Sequence, residues 1–385
     1  MRRRSILLLA LLALVALFAM EAAAAAPPPP VDASAVLVAD GRTGEVLYER
    51  NADRRLPMAS ITKLMTALVT LERARPRETV TVAPEAVGQG GSSIFLAPGE
   101  ELRVRDLLAA ALVQSANDAA FALAAHAGDG SVERFVGLMN REAADLGLED
   151  THYVRPDGLD RPRHYSTARD TFELAKAAMR EPLVRKLVRT RTLRVGSRSF
   201  RNWNDLLWTF PGLIGVKTGH TDRAGWTEVA AARRAGTTVY AVVLGSPTRA
   251  QRNEDLAELL DWAFDRYARF TVVRAGERYA SAGIPFSEER LDLVAAEGAS
   301  RVVLLGSGTT FVERVEAPAL VELPVRRGDR LGEVVIREDG RVVARSDLVA
   351  ARDVEAPSFG ERVGWYADHA LDEAGSMLSA ALPGI

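Results

Sequence analysis

The stretch PMASITKLMTALV, residues 57–69, decides how the first part of the chain folds. Its apolar residues recur at helical spacing, which predicts the start of a buried helix. Ser60 and Lys63 are one turn apart, so both side chains lie on one face of that helix. A serine hydroxyl needs a neighbouring base to act as a nucleophile, and a lysine in an apolar site can lose its proton and serve as that base.

Lysine is rare in this sequence, which makes Lys63 informative. The four lysines are Lys63, Lys176, Lys186 and Lys217, while arginine supplies the other basic positions. Arginine does not deprotonate in proteins, so a retained lysine indicates a role such as general base that a guanidinium cannot fill. The alternative is that Ser60 caps the helix and Lys63 is a surface charge. Further motifs have to decide between the two.

Composition excludes several classes of function. The 385 residues are enough for two domains, and a formal net charge of −2 indicates no polyanionic partner such as nucleic acid. The absence of cysteine excludes disulfides, thiolate metal sites and a lipoprotein anchor. The five histidines are scattered without metal-ligand spacing, so we expect neither a metal nor a cofactor.

The N-terminus has the pattern of a secretory signal. A basic segment at residues 2–4 precedes an apolar run and then small residues suited to signal peptidase. We expect a signal peptide over residues 1–26, with an uncleaved anchor as the alternative. A stiff proline-rich spacer follows over residues 27–33. The protein is therefore expected in the periplasm or on the outer face of the cytoplasmic membrane.

Residues 34–269 alternate between strand and helix patterns. Strands are predicted at 35–39, 46–48, 80–82, 226–232 and 238–245, and helices at 106–113, 118–127, 133–146, 167–179 and 254–267. Strands at both ends and helices between them indicate one antiparallel sheet covered by helices. The fold class is therefore α+β.

The chain changes character near residue 270. Strands predicted at 302–305, 320–325, 334–336 and 342–344 indicate a small all-β domain over residues 270–357. The remaining residues, 358–385, form an amphipathic pattern that suits a helix on a membrane surface. Because its polar face is acidic, a helix docked on the protein and a frayed tail stay as alternatives.

Two further motifs accompany the S-x-x-K pair. Ser115-Ala116-Asn117 is a polar break between two apolar helices, and Lys217-Thr218-Gly219 leads into a strand. Each is weak alone, because Ser and Asn are common at helix junctions and Gly at turns. Together and in this order, they are the set found in penicillin-binding proteins and class A β-lactamases.

The sequence resembles the low-molecular-mass penicillin-binding proteins that are serine-type D-alanyl-D-alanine carboxypeptidases with a β-rich C-terminal domain. The resemblance covers essentially the whole mature chain, through residues 56–63, 115–119, 164–170 and 215–221. It implies a catalytic domain like that of penicillin-binding proteins and β-lactamases over residues 34–269, followed by the small all-β domain.

The resemblance also implies an acyl-transfer mechanism. Ser60 attacks the carbonyl between the two terminal D-alanines of a peptidoglycan stem peptide, and neutral Lys63 takes its proton. Ser115 relays a proton to the leaving D-alanine, while Asn117 holds the substrate amide. The backbone N–H groups of Ser60 and His220 form the oxyanion hole. Water releases the acyl-enzyme, and β-lactams acylate Ser60 as substrate mimics.

The other end of the substrate is assigned by the same resemblance. Lys217 and Thr218 supply electrostatics and carboxylate recognition, and Gly219 lets the substrate backbone come close. Arg252 matches a family arginine that helps to hold the terminal carboxylate, with Arg249 as a competitor. Trp226 stands where the family often has a smaller residue, which leaves the specificity of the rim open.

Other functions compatible with the motifs remain as alternatives. An endopeptidase that cleaves peptide cross-links would use the same chemistry. A class A β-lactamase would need an E-x-x-x-N loop, and we find none between Ser115 and Lys217. A wall-binding module with an inactive site is the non-enzymatic alternative, and the intact motifs argue against it.

Overall fold

The structure, a computed structural model, describes residues 27–305 and 309–367. These residues divide into two compact units, 27–266 and 267–367. Helices and strands occur together in the first unit, and the second is rich in strands, so the predicted α+β class is confirmed. The predicted signal peptide and residues 368–385 of the predicted tail lie outside the described residues.

The first unit holds strands β1 to β9 and helices α1 to α8. The strands are Ala35–Asp40, Val46–Arg50, Thr79–Thr81, Glu101–Arg103, Thr192–Val195, Arg198–Arg201, Leu213–Thr221, Gly225–Arg234 and Thr237–Ser246. The helices are Lys63–Arg73, Val104–Val113, Asn117–Ala127, Val132–Asp145, Ala168–Ala178, Pro182–Val188, Leu206–Thr209 and Arg249–Phe264. The sequence did not indicate β4, β5, β6, α6 and α7, because these elements are only three to seven residues long and show no extended apolar pattern.

The main sheet is antiparallel, with strand order β2-β1-β9-β8-β7. Strand β1 is buried along its whole length, so both faces of the sheet centre must be covered. Helix α8 packs on β1, β8 and β9, and helix α5 packs on β1 and β9. Strand β7 lies at one edge of the sheet. The Lys217-Thr218-Gly219 motif lies inside this strand, rather than before a strand as predicted.

The helical layer is built around α1. This helix contacts α2, α3, α4 and α5, and it begins at Lys63 rather than at Ser60. Ser60 lies instead in a single 3₁₀ turn, Ala59–Thr62, that precedes α1. Helices α2 and α3 are rich in alanine, which lets them pack closely beside α1.

A buried carboxylate fixes the loop that precedes β4. Asp118, on α3, accepts hydrogen bonds from the backbone N–H groups of Ile94 (3.1 Å) and Leu96 (3.1 Å). It also accepts one from the Ser93 hydroxyl at 2.6 Å. Because the loop passes directly beside the Ser115-Ala116-Asn117 turn, Asp118 positions one wall of the site described below.

The second unit is all-β apart from its last residues. Its strands are β10 Tyr267–Val273, β11 Arg278–Gly283, β12 Arg290–Ala295, β13 Ala299–Leu304, β14 Phe311–Glu316, β15 Arg330–Glu338 and β16 Arg341–Ala350. They form one sheet of order β11-β12-β16-β15-β14 and a β10-β13 pair. The strand predicted at 320–325 is wrong. Pro324 lacks the N–H that a strand ladder needs, and that segment makes only isolated bridges.

Residues 359–367, the described part of the predicted tail, are helical. Phe359, Val363 and Tyr366, which the sequence places on the apolar side, are exposed there, and the Tyr366 ring also contacts Phe286 with centroids 5.7 Å apart. Within the described ranges, no helix is long and apolar enough to cross a bilayer.

We predict that Asp118→Ala lowers the free energy of unfolding by about 2–4 kcal/mol, because it leaves the buried N–H groups of Ile94 and Leu96 without an acceptor. Urea unfolding monitored by circular dichroism measures this loss. Asp145→Ala, at an exposed position on α4, is the matched control and should change stability by under about 0.5 kcal/mol. Equal unfolding midpoints for the two variants would show that Asp118 does not anchor the loop.

Candidate active site

Ser60 is held in a strained turn beside the sheet edge. The preceding residue, Ala59, has a φ of +52°, a conformation that non-glycine residues seldom adopt. Its carbonyl oxygen accepts a hydrogen bond from the Thr62 hydroxyl at 2.8 Å. Gly158 leaves room for that carbonyl, since a Cβ at Gly158 would lie 2.0 Å from the oxygen. Strain of this kind clusters at functional sites.

A buried histidine supports the same turn. His164 Nδ1 accepts a hydrogen bond from the backbone N–H of Val154 at 3.0 Å. The other ring nitrogen, Nε2, must therefore carry the proton and donate to the Thr62 hydroxyl, 2.9 Å away. Burial lowers the pKa of His164 to about 4, so the ring is neutral at pH 7. The two successive hydrogen bonds, from His164 to Thr62 and from Thr62 to Ala59, thus fix the backbone next to Ser60.

Lys63 occupies the centre of the site and is fully buried. Its Nζ atom lies 2.9 Å from Ser60 Oγ, 2.6 Å from Asn117 Oδ1 and 2.6 Å from the carbonyl oxygen of Asp157. Burial lowers the pKa of Lys63 to about 8, against the opposing effect of the Asp157 carboxylate and with a further lowering by Arg155. A fraction of the lysine is therefore neutral at pH 7.

The loop that carries Asp157 was not identified as part of the site from the sequence. Asp157 is fully buried and pairs with Arg155, whose Nε and one terminal nitrogen lie 2.9 and 2.8 Å from its carboxylate oxygens. This ion pair places the Asp157 carbonyl against Lys63. Any residue has a backbone carbonyl, so sequence patterns contain no signal for this contact.

The Ser115-Ala116-Asn117 turn lies between α2 and α3. Ser115 has a φ of +60°, which turns the chain sharply where the two helices meet. Asn117 donates from its side-chain nitrogen to the carbonyl oxygen of Gly90, while its oxygen accepts from Lys63. Both ends of the Asn117 amide are therefore engaged by the protein, and its orientation is fixed.

Lys217 approaches the site from β7. Its Nζ atom donates to Ser115 Oγ at 3.0 Å and to the carbonyl oxygen of Thr218 at 2.9 Å. Burial lowers the pKa of Lys217 well below its usual range, and the positive charge of Lys63 lowers it further. Two of the four lysines in the sequence therefore lie in one site, each touching a serine hydroxyl.

Gly219 allows β7 to approach the Ser60 turn closely. A Cβ at this position would lie 2.9 Å from the backbone nitrogen of Ser60 and 2.5 Å from Thr227 Oγ1. The next residue, His220, stacks on Trp226 with ring centroids 4.1 Å apart. A side chain at residue 219 would therefore push β7 away from Ser60.

Two arginines of α8 reach the same cleft, and both have acidic partners. Arg249 makes two contacts of 2.7 Å with the two carboxylate oxygens of Asp205. Arg252 is buried, and its Nε atom lies 3.1 Å from Glu228 Oε2. Neither acid was singled out from the sequence, since each is an isolated residue outside any motif.

A cleft of about 350 Å³ joins these groups. The predicted residues that line it are Ser60, Ser115, Asn117, Thr218, Gly219, His220 and Arg252, while Lys63 and Lys217 lie behind it and touch its serines. The structure thus brings all nine predicted site residues together. Trp203, Trp226 and Leu159 also line the cleft and make its rim apolar.

A helix-covered antiparallel sheet with this arrangement of three motifs defines the penicillin-binding class of serine enzymes. The peptidase S11 family model, described as D-alanyl-D-alanine carboxypeptidase, matches residues 21–248. The chain belongs to this family of D-alanyl-D-alanine carboxypeptidases, which confirms the resemblance seen in the sequence.

Individual relatives agree with the family. The D-alanyl-D-alanine carboxypeptidase DacF of Bacillus subtilis is 31% identical over 340 residues, covering 85% of this chain and 87% of the relative. The D-alanyl-D-alanine carboxypeptidase DacC of Escherichia coli is 33% identical over 353 residues, covering 86% of this chain and 87% of the relative. The solved penicillin binding protein 5 of Haemophilus influenzae is 29% identical, with a TM-score of 0.62, and the match covers 86% of this chain and 100% of that one.

We predict that His164 makes stability fall in mild acid. Because its pKa is about 4 in the folded protein and about 6.5 when unfolded, the unfolded state binds more protons between these values. The free energy of unfolding should drop by up to about 3 kcal/mol from pH 7 to pH 4. Urea titrations across this range should show a smaller dependence of the unfolding free energy on pH for His164→Gln than for the wild type. An unchanged pH dependence for His164→Gln would contradict the assignment.

Proposed function

We propose that Ser60 is the nucleophile of a serine-type D-alanyl-D-alanine carboxypeptidase that removes the terminal D-alanine from peptidoglycan stem pentapeptides. The observation that carries the proposal is the 2.9 Å contact between Lys63 Nζ and Ser60 Oγ in a fully buried environment. A serine nucleophile needs an adjacent base, and a lysine with a lowered pKa is such a base. The named relatives support the same substrate class.

The contacts of Lys63 favour one direction of proton transfer. A neutral amine has two hydrogens and one lone pair, and the oxygens of Asn117 and Asp157, each 2.6 Å away, accept the hydrogens. The lone pair is then left for the hydroxyl of Ser60. At a pKa of about 8, about one Lys63 in ten is neutral at pH 7. As Ser60 Oγ attacks the carbonyl carbon, its proton passes to Lys63 Nζ.

Ser115 and Lys217 serve the leaving group. Lys217 Nζ donates to Ser115 Oγ, so the hydroxyl hydrogen of Ser115 is free to turn into the cleft. When the tetrahedral intermediate breaks down, Ser115 gives this proton to the nitrogen of the departing D-alanine and regains one from Lys217, which touches it. Lys63 keeps the proton of Ser60 and returns it to Ser60 Oγ when water releases the acyl group, and the proton of that water restores Lys217. Asn117 orients Lys63, and it can hold the substrate amide only by exchanging its bond with Gly90.

The oxyanion is stabilised at the junction of β7 and the Ser60 turn. The backbone N–H groups of Ser60 and His220 are the donors, and the absence of a side chain at Gly219 brings the two segments together. Strand β7 is the edge of its sheet, so its outer backbone groups are available to an extended substrate. Removing one such donor typically lowers the rate by about two to three decades.

The terminal carboxylate of the substrate binds near Thr218 and Arg252. Both residues line the cleft, and the buried amine of Lys217 lies behind them. Arg249 also lines the cleft and remains the competitor, since both guanidinium groups already have partners, Asp205 for Arg249 and Asn253 with Glu228 for Arg252. Water then hydrolyses the acyl-enzyme, and β-lactams acylate Ser60 because they mimic the same peptide.

The proposal includes the location of the protein. The stem peptide lies outside the cytoplasmic membrane, in agreement with the signal pattern at the N-terminus. The proposed organisation is a signal peptide (1–26), a spacer (27–33), the catalytic domain (34–269), the β-rich domain (270–357) and an amphipathic tail (358–385) that contacts the membrane surface. Exposed apolar side chains at residues 359–366 support the last assignment.

We predict that fluorescent penicillin labels the protein at Ser60 and that Ser60→Ala abolishes the label, because the acyl bond forms on this oxygen. Gel fluorescence and mapping of the modified peptide by mass spectrometry measure the outcome. Ser197→Ala, on the exposed β5–β6 turn, is the control and should label like the wild type. Labelling that persists in Ser60→Ala would exclude Ser60 as the nucleophile.

The fate of natural peptides tests the reaction itself. Release of D-alanine from a stem pentapeptide, with a cross-linked dimer left intact, is the result expected of a carboxypeptidase. Preferential cleavage of the dimer would assign endopeptidase activity instead. Rapid turnover of penicillin, rather than slow release from Ser60, would indicate a β-lactamase.

A further inference from the structure

A buried carboxyl group without a role in the proposed mechanism lies behind the carboxylate end of the cleft. Glu228, on β8, stands directly opposite Thr218 of β7, so both side chains project from the same face of the sheet. The Glu228 side chain is 0% exposed. Glutamate is almost never fully buried unless it is paired, so this position calls for a physical reason.

The pairing of Glu228 is incomplete. Arg252 Nε lies 3.1 Å from Glu228 Oε2, yet within residues 27–305 and 309–367 neither carboxylate oxygen has a well-aligned hydrogen bond. The side-chain nitrogen of Asn204 faces Glu228 and has no other acceptor in those ranges, so it is a poorly aligned donor that lowers the pKa of Glu228 only slightly. A carboxylate with so few donors is poorly stabilised as an anion.

Charged groups on three elements face Glu228. Burial raises the pKa of Glu228 to about 7. The positive charges of Arg252 on α8 and Lys217 on β7 lower this pKa, and the negative charge of Asp205 beside α7 raises it. The carboxyl group therefore exchanges between its neutral and charged forms near pH 7. Its charge state decides how much of the positive charge of Arg252 remains for a ligand.

A substrate carboxylate at Thr218 and Arg252 would bring a second anion to the same guanidinium. Asp205 Oδ2 already lies 3.6 Å from a terminal nitrogen of Arg252. Like charges that share a site disfavour each other, and one of the carboxylates then gains a proton. Asp205 is held as an anion by two bonds from Arg249, which leaves Glu228 as the group able to accept that proton.

We propose, on the basis of the function proposed above, that Glu228 is a positioning residue that holds Arg252 for the terminal carboxylate of the substrate and takes up a proton when that carboxylate binds. Arg252 Nε and one terminal nitrogen donate to Asn253 Oδ1 at 3.2 and 2.6 Å, and the Glu228 carboxylate adds an ion pair with Nε from behind the cleft. Protonation of Glu228 removes the competing charge. Substrate binding and proton uptake are thereby coupled.

Calorimetry with an uncleaved ligand tests the coupling. Stem pentapeptide is titrated into Ser60→Ala, and into the same variant carrying Glu228→Gln, between pH 6.5 and 8.5. In Ser60→Ala the Kd for the pentapeptide should rise by up to about tenfold per pH unit at pH values where free Glu228 is ionised, because binding then requires the uptake of one proton. A glutamine side chain cannot ionise, so the double variant should weaken less over this range and should take up fewer protons near pH 7. Proton uptake is read from heats in buffers of different ionisation enthalpy.

The controls separate the outcomes. Glu258→Gln, at an exposed position on α8, should leave the Ser60→Ala curve unchanged. The coupling would be overturned if the dependence of Kd on pH were the same with and without Glu228→Gln. It would also be overturned if Glu228→Gln raised Kd by the same factor at every pH. If Glu228→Gln does not fold, zero proton uptake by Ser60→Ala near pH 7 would overturn it equally. Failure of folded Ser60→Ala to bind the pentapeptide at any pH would instead reject the proposed function.

Discussion

The burial of the Lys63 amine among three oxygen atoms is the interaction on which the rest of the site depends. Removing an ammonium from water is costly, so the fold has to place acceptors around it and shift its protonation equilibrium towards the neutral form. Ser60, Asn117 and the Asp157 carbonyl supply the acceptors. Each comes from a different part of the chain, so this one nitrogen atom ties together the turn before α1, the start of α3 and the loop before α5.

Unusual backbone conformations on both sides of the cleft serve the same placement of groups around Lys63. Ala59 and Ser115 both adopt positive φ values, and each directs a segment that carries a reacting hydroxyl. His164 and Thr62 stabilise the first of these segments, and the bond from Lys217 stabilises the second. Conformations of this kind persist only when their surroundings over-determine them, which is the condition met by a preorganised site.

Much of the fold could be predicted because its elements carry strong periodicity. Four of the five strands of the main sheet, α1 to α5 and the three motifs follow from apolar patterns and from residue chemistry at fixed spacing, whereas β7 was not predicted as a strand. The 3₁₀ turn at Ser60, the Asp157 carbonyl and the opposition of Glu228 to Thr218 could not be predicted in this way. Turn geometry and backbone acceptors leave no residue signature, and strand register depends on pairing partners distant in sequence.

The scarcity of lysine allows the central claim to be measured directly. With lysine labelled by ¹³C at Cε, the four side chains give four NMR signals that Lys→Arg variants can assign. We expect the Lys63 signal to titrate with a midpoint near pH 8, well before the ordinary lysine value of about 10.4. A Lys63 midpoint at that ordinary value would contradict its role as the base that activates Ser60.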